Sequence, residues 1–355
     1  MFSSCDREKV YFAASNTGDG FLNYFEEIFG ADDRIYILKG GPGTGKSYFL
    51  NQAAKRAGQK GYECEYYLCS SDADSLDGVR IPELGIAIFD GTAPHAAEPK
   101  LPGARDNIIN LGAFWDENAL YERRNEIKAL AKQKSSSYTE ALLALKVCGQ
   151  WMRYRMHLIS KYVKTDCMQR ATKRFLKRIR TEKGQVKVRP MHTFGMKSET
   201  ILWTFSRNAE TVLTVNSLYG VEYLYLKSIL DAAKEQGIEV WYSPHPICPE
   251  YPEAIYFDAQ KLLISAMPYE EGKKVGTRRF LDSTVLAEKG KLLRSLAKGM
   301  ESMKKQAVES FADMRKHHFA LETIYESTMD FALKEQYTEV FLSKLLDKKK
   351  IDKNF

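Results

Sequence analysis

Residues 35–50 constrain this chain more than any other stretch. Ile35-Tyr36-Ile37-Leu38-Lys39 is a short apolar run of strand character, and Gly40-Gly41-Pro42-Gly43-Thr44-Gly45-Lys46-Ser47 is a glycine-rich turn. Tyr48-Phe49-Leu50 then opens a helical pattern. The turn has the G-x-x-x-x-G-K-S spacing of a phosphate-binding loop, in the strand-to-helix setting that the spacing needs. Gly40, Gly43 and Gly45 lack a Cβ, so the backbone can take positive φ and converge its N–H groups on a phosphate. The following helix points its positive end at the same spot. Lys46 supplies a point charge for the β- and γ-phosphates, and the Ser47 hydroxyl is placed to ligate Mg²⁺. The expected nucleotide contacts are Gly40, Gly41, Pro42, Gly43, Thr44, Gly45, Lys46, Ser47 and Tyr48.

A second element of such a site is a buried strand that ends in a carboxylate. Leu84-Gly85-Ile86-Ala87-Ile88-Phe89-Asp90 has that form, and Asp90 is expected to hold the Mg²⁺ water shell. Gly91-Thr92-Ala93-Pro94-His95 follows, with no Glu after Asp90 to serve as a hydrolytic base. Asp72, Asp74, Glu83 and His95 remain as catalytic candidates beside Lys46 and Asp90. Asp72 and Asp74 belong to a polar loop, Cys69 to Gly78, expected beyond the carboxyl ends of the parallel strands, where ligands bind in open α/β sheets. Turn and cap chemistry would explain such a loop equally well.

The chain of 355 residues suggests about two domains, and 44% hydrophobic with 28% charged residues suits a folded protein with a sizeable core. No apolar run approaches the roughly 18 residues of a membrane span. Met1-Phe2-Ser3-Ser4-Cys5-Asp6-Arg7 lacks the pattern of a signal peptide. The six cysteines are scattered, and Cys64 and Cys69 read as buried thiols rather than metal ligands. These features predict a reduced, cytoplasmic protein with no membrane partner.

The net charge of +7 is uneven. Residues 116–185 hold 17 Lys and Arg against 7 Asp and Glu, a net of +10, which leaves −3 for the remainder. From Glu117 to about Arg180 there is no proline and one glycine, Gly149, so the spacing predicts two or three helices with a polar break at Gln133–Ser137. Trp151, Arg153, Tyr154, Arg155, Lys161, Tyr162 and Lys164 interleave bases with aromatics, and Lys173, Arg174, Lys177 and Arg178 follow. Such a face can bind nucleic acid or an acidic protein, or can simply be solvated.

After Lys187-Val188-Arg189-Pro190 the pattern starts again. Phe12-Ala13 compares with Phe194-Gly195, Ile35–Lys39 with Thr211–Val215, and Gly61–Tyr66 with Gly237–Tyr242 at a separation of 176 residues. The same separation puts Val221, Glu222 and Tyr223 in place of Gly45, Lys46 and Ser47. A carboxylate there repels phosphate, so the second loop is expected to bind no nucleotide. A proline-free, helical stretch, Ser283 to Lys350, follows the second lobe as residues 116–185 follow the first.

Leu38–Ser47, Cys69–Asp72 with Ser75–Val79, Ile81–Leu84, Asp90–His95 and Asn110–Gly112 through Phe114–Asp116 together resemble a poorly characterised family of bacterial P-loop ATPases found mainly in Firmicutes. The likeness is dense over residues 8–120 and faint over 187–282. It implies ATP binding and two tandem P-loop lobes, each with a helical insertion, and it supplies no reaction. The family pattern would put a glycine-rich loop in the second lobe as well, and this chain has lost it.

The expected fold is α/β: a P-loop NTPase-like parallel-sheet lobe (1–115), a basic α-helical insertion (116–186), a degenerate P-loop-like lobe (187–282) and a C-terminal helical region (283–355), forming an intramolecular pseudo-dimer. The expected function is Mg²⁺-dependent binding of ATP or GTP in the first lobe with slow or partner-stimulated hydrolysis. Two alternatives stand beside it: a small-molecule or nucleotide kinase whose acceptor is held by Asp72, Asp74 or His95, and a nucleotide-gated binding module with a basic arm.

Overall fold

The structure is a computed structural model and describes residues 9–32, 34–93, 96–179, 183–267, 269 and 272–347. The readings at residues 1–7, at Pro94 and His95 and in the tail after Asp347 lie outside these. The first half runs β1 (Val10–Phe12), β2 (Ala14–Thr17), β3 (Gly20–Asn23), α1 (Phe25–Phe29), β4 (Arg34–Lys39), α2 (Lys46–Gln59), β5 (Glu65–Leu68), β6 (Leu76–Ile81), β7 (Ile86–Asp90) and β8 (Asp106–Asn110). Helices α3 (Glu117–Glu122), α4 (Arg124–Ser160) and α5 (Thr165–Leu176) complete it. The second half repeats the plan: β9 (Val186–Val188), β10 (His192–Gly195), β11 (Ser198–Ile201), α6 (Thr204–Asn208), β12 (Thr211–Val215), α7 (Val221–Glu235), β13 (Val240–Pro244), β14 (Pro252–Phe257), β15 (Leu262–Ser265) and β16 (Lys273–Val275). It ends in α8 (Thr284–Glu326) and α9 (Phe331–Asp347).

Each half builds a six-stranded sheet, ordered β1-β5-β6-β7-β4-β8 in the first and, read from β9, β9-β13-β14-β15-β12-β16 in the second. Strand for strand the two orders are the same. Both sheets are mixed. The pairs on either side of β6, and those on either side of β14, are antiparallel, and the other pairs are parallel.

The expected all-parallel sheet is therefore corrected, and the cause is β6, which lies partly inside the stretch read as a polar loop. Its Asp77, Gly78 and Arg80 hide the strand from a hydrophobic pattern. Asp77 is buried, and Arg80 is bound to Asp32 and Glu65. Gly20–Asn23 pairs with β2 as a hairpin. Two smaller corrections follow. The helix α4 runs unbroken through Gln133–Ser137, since a polar stretch that itself holds no Gly or Pro need not interrupt a helix. The counterpart of β1 is β9 at the 176-residue spacing, rather than Phe194-Gly195.

The sheets face one another across a shared core. Tyr11, Ile37, Tyr67 and Phe89 from the first meet Val188, Tyr256 and Leu263 from the second, joined by Phe29 of α1 and Phe205 of α6. A buried ion cluster joins the halves at its edge, with Arg189 Nη2 3.3 Å from Glu65 Oε2, and Arg80 Nη1 also 3.3 Å away. Burial works against the Glu65 charge, but Arg189, the Tyr67 hydroxyl and Arg80 hold its pKa below the usual range.

The helices cross between the halves. The Asp116 N–H before α3 donates to Thr328 O at the end of α8, and Asp282 N–H before α8 donates to Tyr162 O at the end of α4. The two long helices α4 and α8 therefore run antiparallel. They come close where Gly299 faces Trp151, since a Cβ there would stand 2.2 Å from the ring. Each then delivers its successor to the opposite half. In α5, Thr172 bonds Ser228 of α7 at 2.9 Å, and in α9 Phe341 packs on Phe49 of α2, beside an Arg56–Glu339 pair. Leu342, Leu345 and Leu346 of α9 enter the core beneath α2. Among the described residues, no helix is long and apolar enough to cross a membrane.

Candidate functional site

The loop from Gly40 to Gly45 leaves β4 at the carboxyl end of the sheet and turns into α2 through Gly45, whose φ of 76° is left-handed. Thr44 is fully buried, and its hydroxyl donates to Gly41 O at 2.9 Å, which ties the turn to itself. Lys46 Nζ folds back over the loop to Gly40 O at 3.0 Å and Gly41 O at 2.8 Å. It stands 3.6 Å from Asp90 Oδ2. Asp90 ends β7, in register with Leu38 of β4, so two adjacent parallel strands bring these groups together.

The other Asp90 oxygen accepts from Thr92 N–H at 2.8 Å, and the Thr92 hydroxyl donates to Gly40 O at 3.1 Å. Burial pushes the Asp90 carboxyl upward, while Lys46 pulls it back. Ser47 Oγ accepts from Leu76 N–H at 3.0 Å and so anchors α2 to β6. Among the described residues no protein acceptor takes the N–H of Thr44 or Gly45.

Helices from the second half cover this loop. A Cβ on Gly41 would stand 3.1 Å from the Tyr325 ring, and one on Gly43 would stand 2.7 Å from Glu322 O and from the Glu326 side chain. One on Gly45 would stand 2.4 Å from Lys334 Nζ. The glycines thus answer to close packing as well as to φ.

Around Lys46 stand Lys134 of α4 and His318 and Glu322 of α8. Burial lowers the Lys134 pKa. His318 is pushed down to about 4 by burial and by the neighbouring Lys134 and Lys46. Burial, Glu326 and Asp72 raise Glu322, against the pull of Lys46.

Of the sequence candidates, Lys46, Ser47 and Asp90 converge, and Asp72 lies within the same field while accepting from the Ser75 hydroxyl at 3.1 Å. Tyr48 flanks them, its hydroxyl donating to Glu335 at 2.9 Å. Asp74 is exposed and paired with Lys197. Glu83 is a correction. It is exposed in the turn between β6 and β7, where Ile81 pairs with Ile86, at the opposite end of β7 from Asp90. His95 lies outside the described residues. Sequence reasoning missed Lys134, His318, Glu322 and Lys334, which arrive from distant helices.

On the basic arm, Arg153 is engaged by Asp19 at 2.6 Å and Glu250 at 2.7 Å, whereas Lys161, Lys164, Lys173, Arg174, Lys177 and Arg178 are exposed.

In the second half, α7 keeps the 176-residue spacing on its inward face, with Ile229 and Ala233 in the places of Ala53 and Ala57. Its connecting stretch, Asn216 to Gly220, is one residue shorter than Gly40 to Gly45, so the left-handed cap equivalent to Gly45 is Gly220 (φ 108°) and not Val221. Glu222 is 2% exposed. Its carboxylate accepts from Leu218 N–H at 2.7 Å, Gly220 N–H at 3.1 Å and the Ser217 hydroxyl at 2.8 Å. The second cradle therefore holds the chain's own anion. β15 ends in Ser265, with no carboxylate matching Asp90.

Comparison with protein-family models, with curated proteins and with solved structures found no match to this chain.

Proposed function

We propose that the Gly40–Ser47 loop binds Mg²⁺ with ATP or GTP, and that the chain hydrolyses the nucleotide slowly or under stimulation by a partner, with the second half as scaffold or regulator. The observation that carries this reading is the Lys46–Asp90 pair at the ends of adjacent parallel strands, beside a glycine turn with two N–H groups that have no acceptor among the described residues. Lys46 would exchange its loop carbonyls for the β- and γ-phosphates. Ser47 Oγ and Asp90 are oxygen donors of the kind Mg²⁺ takes from a protein alongside phosphate and water. Bound there, the metal would neutralise charge on the phosphates. Asp72 and Glu322 are the carboxylates beside Lys46 that can take a proton from an attacking water. The raised pKa of Glu322 brings it closer to the range of an effective base.

Product analysis tests the reaction. Incubation with Mg²⁺ and radiolabelled ATP should release free phosphate with no added acceptor. Label that appears only in an added or co-purified acceptor would make the chain a phosphotransferase instead.

A further inference from the structure

The helix α9 lies late in the second half of the sequence, yet it rests on α2 of the first. In its first two turns the buried positions are Lys334 and Thr338. Lys334 is 3% exposed. Its ammonium lies 4.5 Å from the centre of the Tyr48 ring and 5.2 Å from that of Phe331, and it abuts Gly45 at the start of α2. Among the described residues no carboxylate or carbonyl accepts a hydrogen bond from this Nζ. Glu335, the neighbouring acid, accepts from the Tyr48 hydroxyl. Lys46 shows the contrast, with two carbonyls and Asp90 around its charge.

A buried ammonium that rests on ring faces alone recovers only part of the hydration it has lost. Burial accordingly pushes the Lys334 pKa down, with Glu335 opposing. This charge faces the same loop whose Thr44 and Gly45 N–H groups have no acceptor among the described residues. Donors from two distant parts of the chain thus await one anion.

We propose that Lys334 is a phosphate ligand contributed by the C-terminal helix, so that the nucleotide site of the first half is complete only with α9 docked on α2. The inference rests on the nucleotide-binding reading above. Lys46 approaches from the Gly40–Gly41 side, next to Asp90, where the terminal phosphates belong. Lys334 approaches from Gly45 and Tyr48, at the helix start, where the α- and β-phosphates of a loop-bound nucleotide lie. The two ammonium groups bracket the phosphate chain. Because a ligand that touches α9 favours its docked state, nucleotide should also tighten the hold of α9 on α2.

The test is Lys334→Met, which keeps the apolar stem and removes the charge. Titration calorimetry with Mg-ATP and Mg-ADP should show both affinities reduced about tenfold or more, the size of one lost charge-assisted contact. The melting temperature of the unliganded protein should match or exceed that of the parent, because an unpaired buried charge has been replaced by an apolar group of similar shape. Lys334→Arg should restore part of the affinity for both nucleotides. If Lys334→Met does not fold, Lys334→Gln is expected to show the same paired losses. Unchanged affinity in a folded variant would make Lys334 a packing residue and overturn the proposal. Loss of ATP affinity alone would overturn the placement at the α- and β-phosphates. A parent chain that binds neither nucleotide would instead sink the nucleotide reading itself, and this inference with it.

Discussion

Lys46→Ala should weaken Mg-ATP binding about 10- to 150-fold, which is the 1.5–3 kcal/mol of a charge-assisted contact. The substitution removes the one ammonium that spans Gly40 O, Gly41 O and Asp90. The loop itself should survive, because its turn is tied by Thr44 and its glycine conformations do not need the lysine. Fluorescence titration with a labelled ATP analogue measures the loss, and circular dichroism of the same samples reports whether the fold is retained. Equal affinities in two folded proteins would remove this loop as the nucleotide site.

The second large effect concerns pH and the second half. His192 is buried between two carboxylates, with Nδ1 3.0 Å from Glu253 and Nε2 3.0 Å from Glu199. Burial opposes its charge, but Glu253 and Glu199 raise its pKa to about 9. Lys304 stands near Glu199, and the buried His245 nearby is pushed well down by burial and by the charge on His192.

A folded pKa above the unfolded value of about 6.5 means that the imidazolium stabilises the protein fully below pH 6.5. That contribution is lost as pH rises through 9. The linkage amounts to about 3 kcal/mol. Urea denaturation should therefore show stability falling between pH 6.5 and 9.5, and His192→Gln should flatten that fall while lowering stability at pH 6. A parent protein equally stable at both ends of this range would show that His192 is not held as a cation.

What the sequence disclosed was local. The glycine-rich turn, the helix behind it and the strand ending in Asp90 each announce themselves within a dozen residues, because turn chemistry and side-chain period are short-range signals. The repeat at 176 residues was legible for the same reason in Ile35–Lys39 against Thr211–Val215 and in Gly61–Tyr66 against Gly237–Tyr242. β6 was not, because its Asp77 is buried and its Arg80 is satisfied by Asp32 and Glu65 from elsewhere in the fold. Glu83 lies seven positions before Asp90 along the chain and one strand-length away in space, so chain proximity misled. Half of the site was hidden by the helix exchange. His318, Glu322 and Lys334 reach the loop because α8 runs back along α4 and returns the end of the chain to its beginning. Nothing in their spacing points to Gly43 or Gly45. In the second loop the position of Glu222 was legible, but its role was not. Its carboxylate accepts from the Leu218 and Gly220 N–H groups and so occupies the backbone donors of its own loop.

The most direct test is the number of nucleotides bound. Equilibrium dialysis of the full chain with Mg²⁺ and saturating ATP should give about one nucleotide per chain, since one loop is open to phosphate and the other is filled by Glu222. A value near zero would contradict nucleotide binding at Gly40–Ser47, and a value near two would contradict the closure of the second loop.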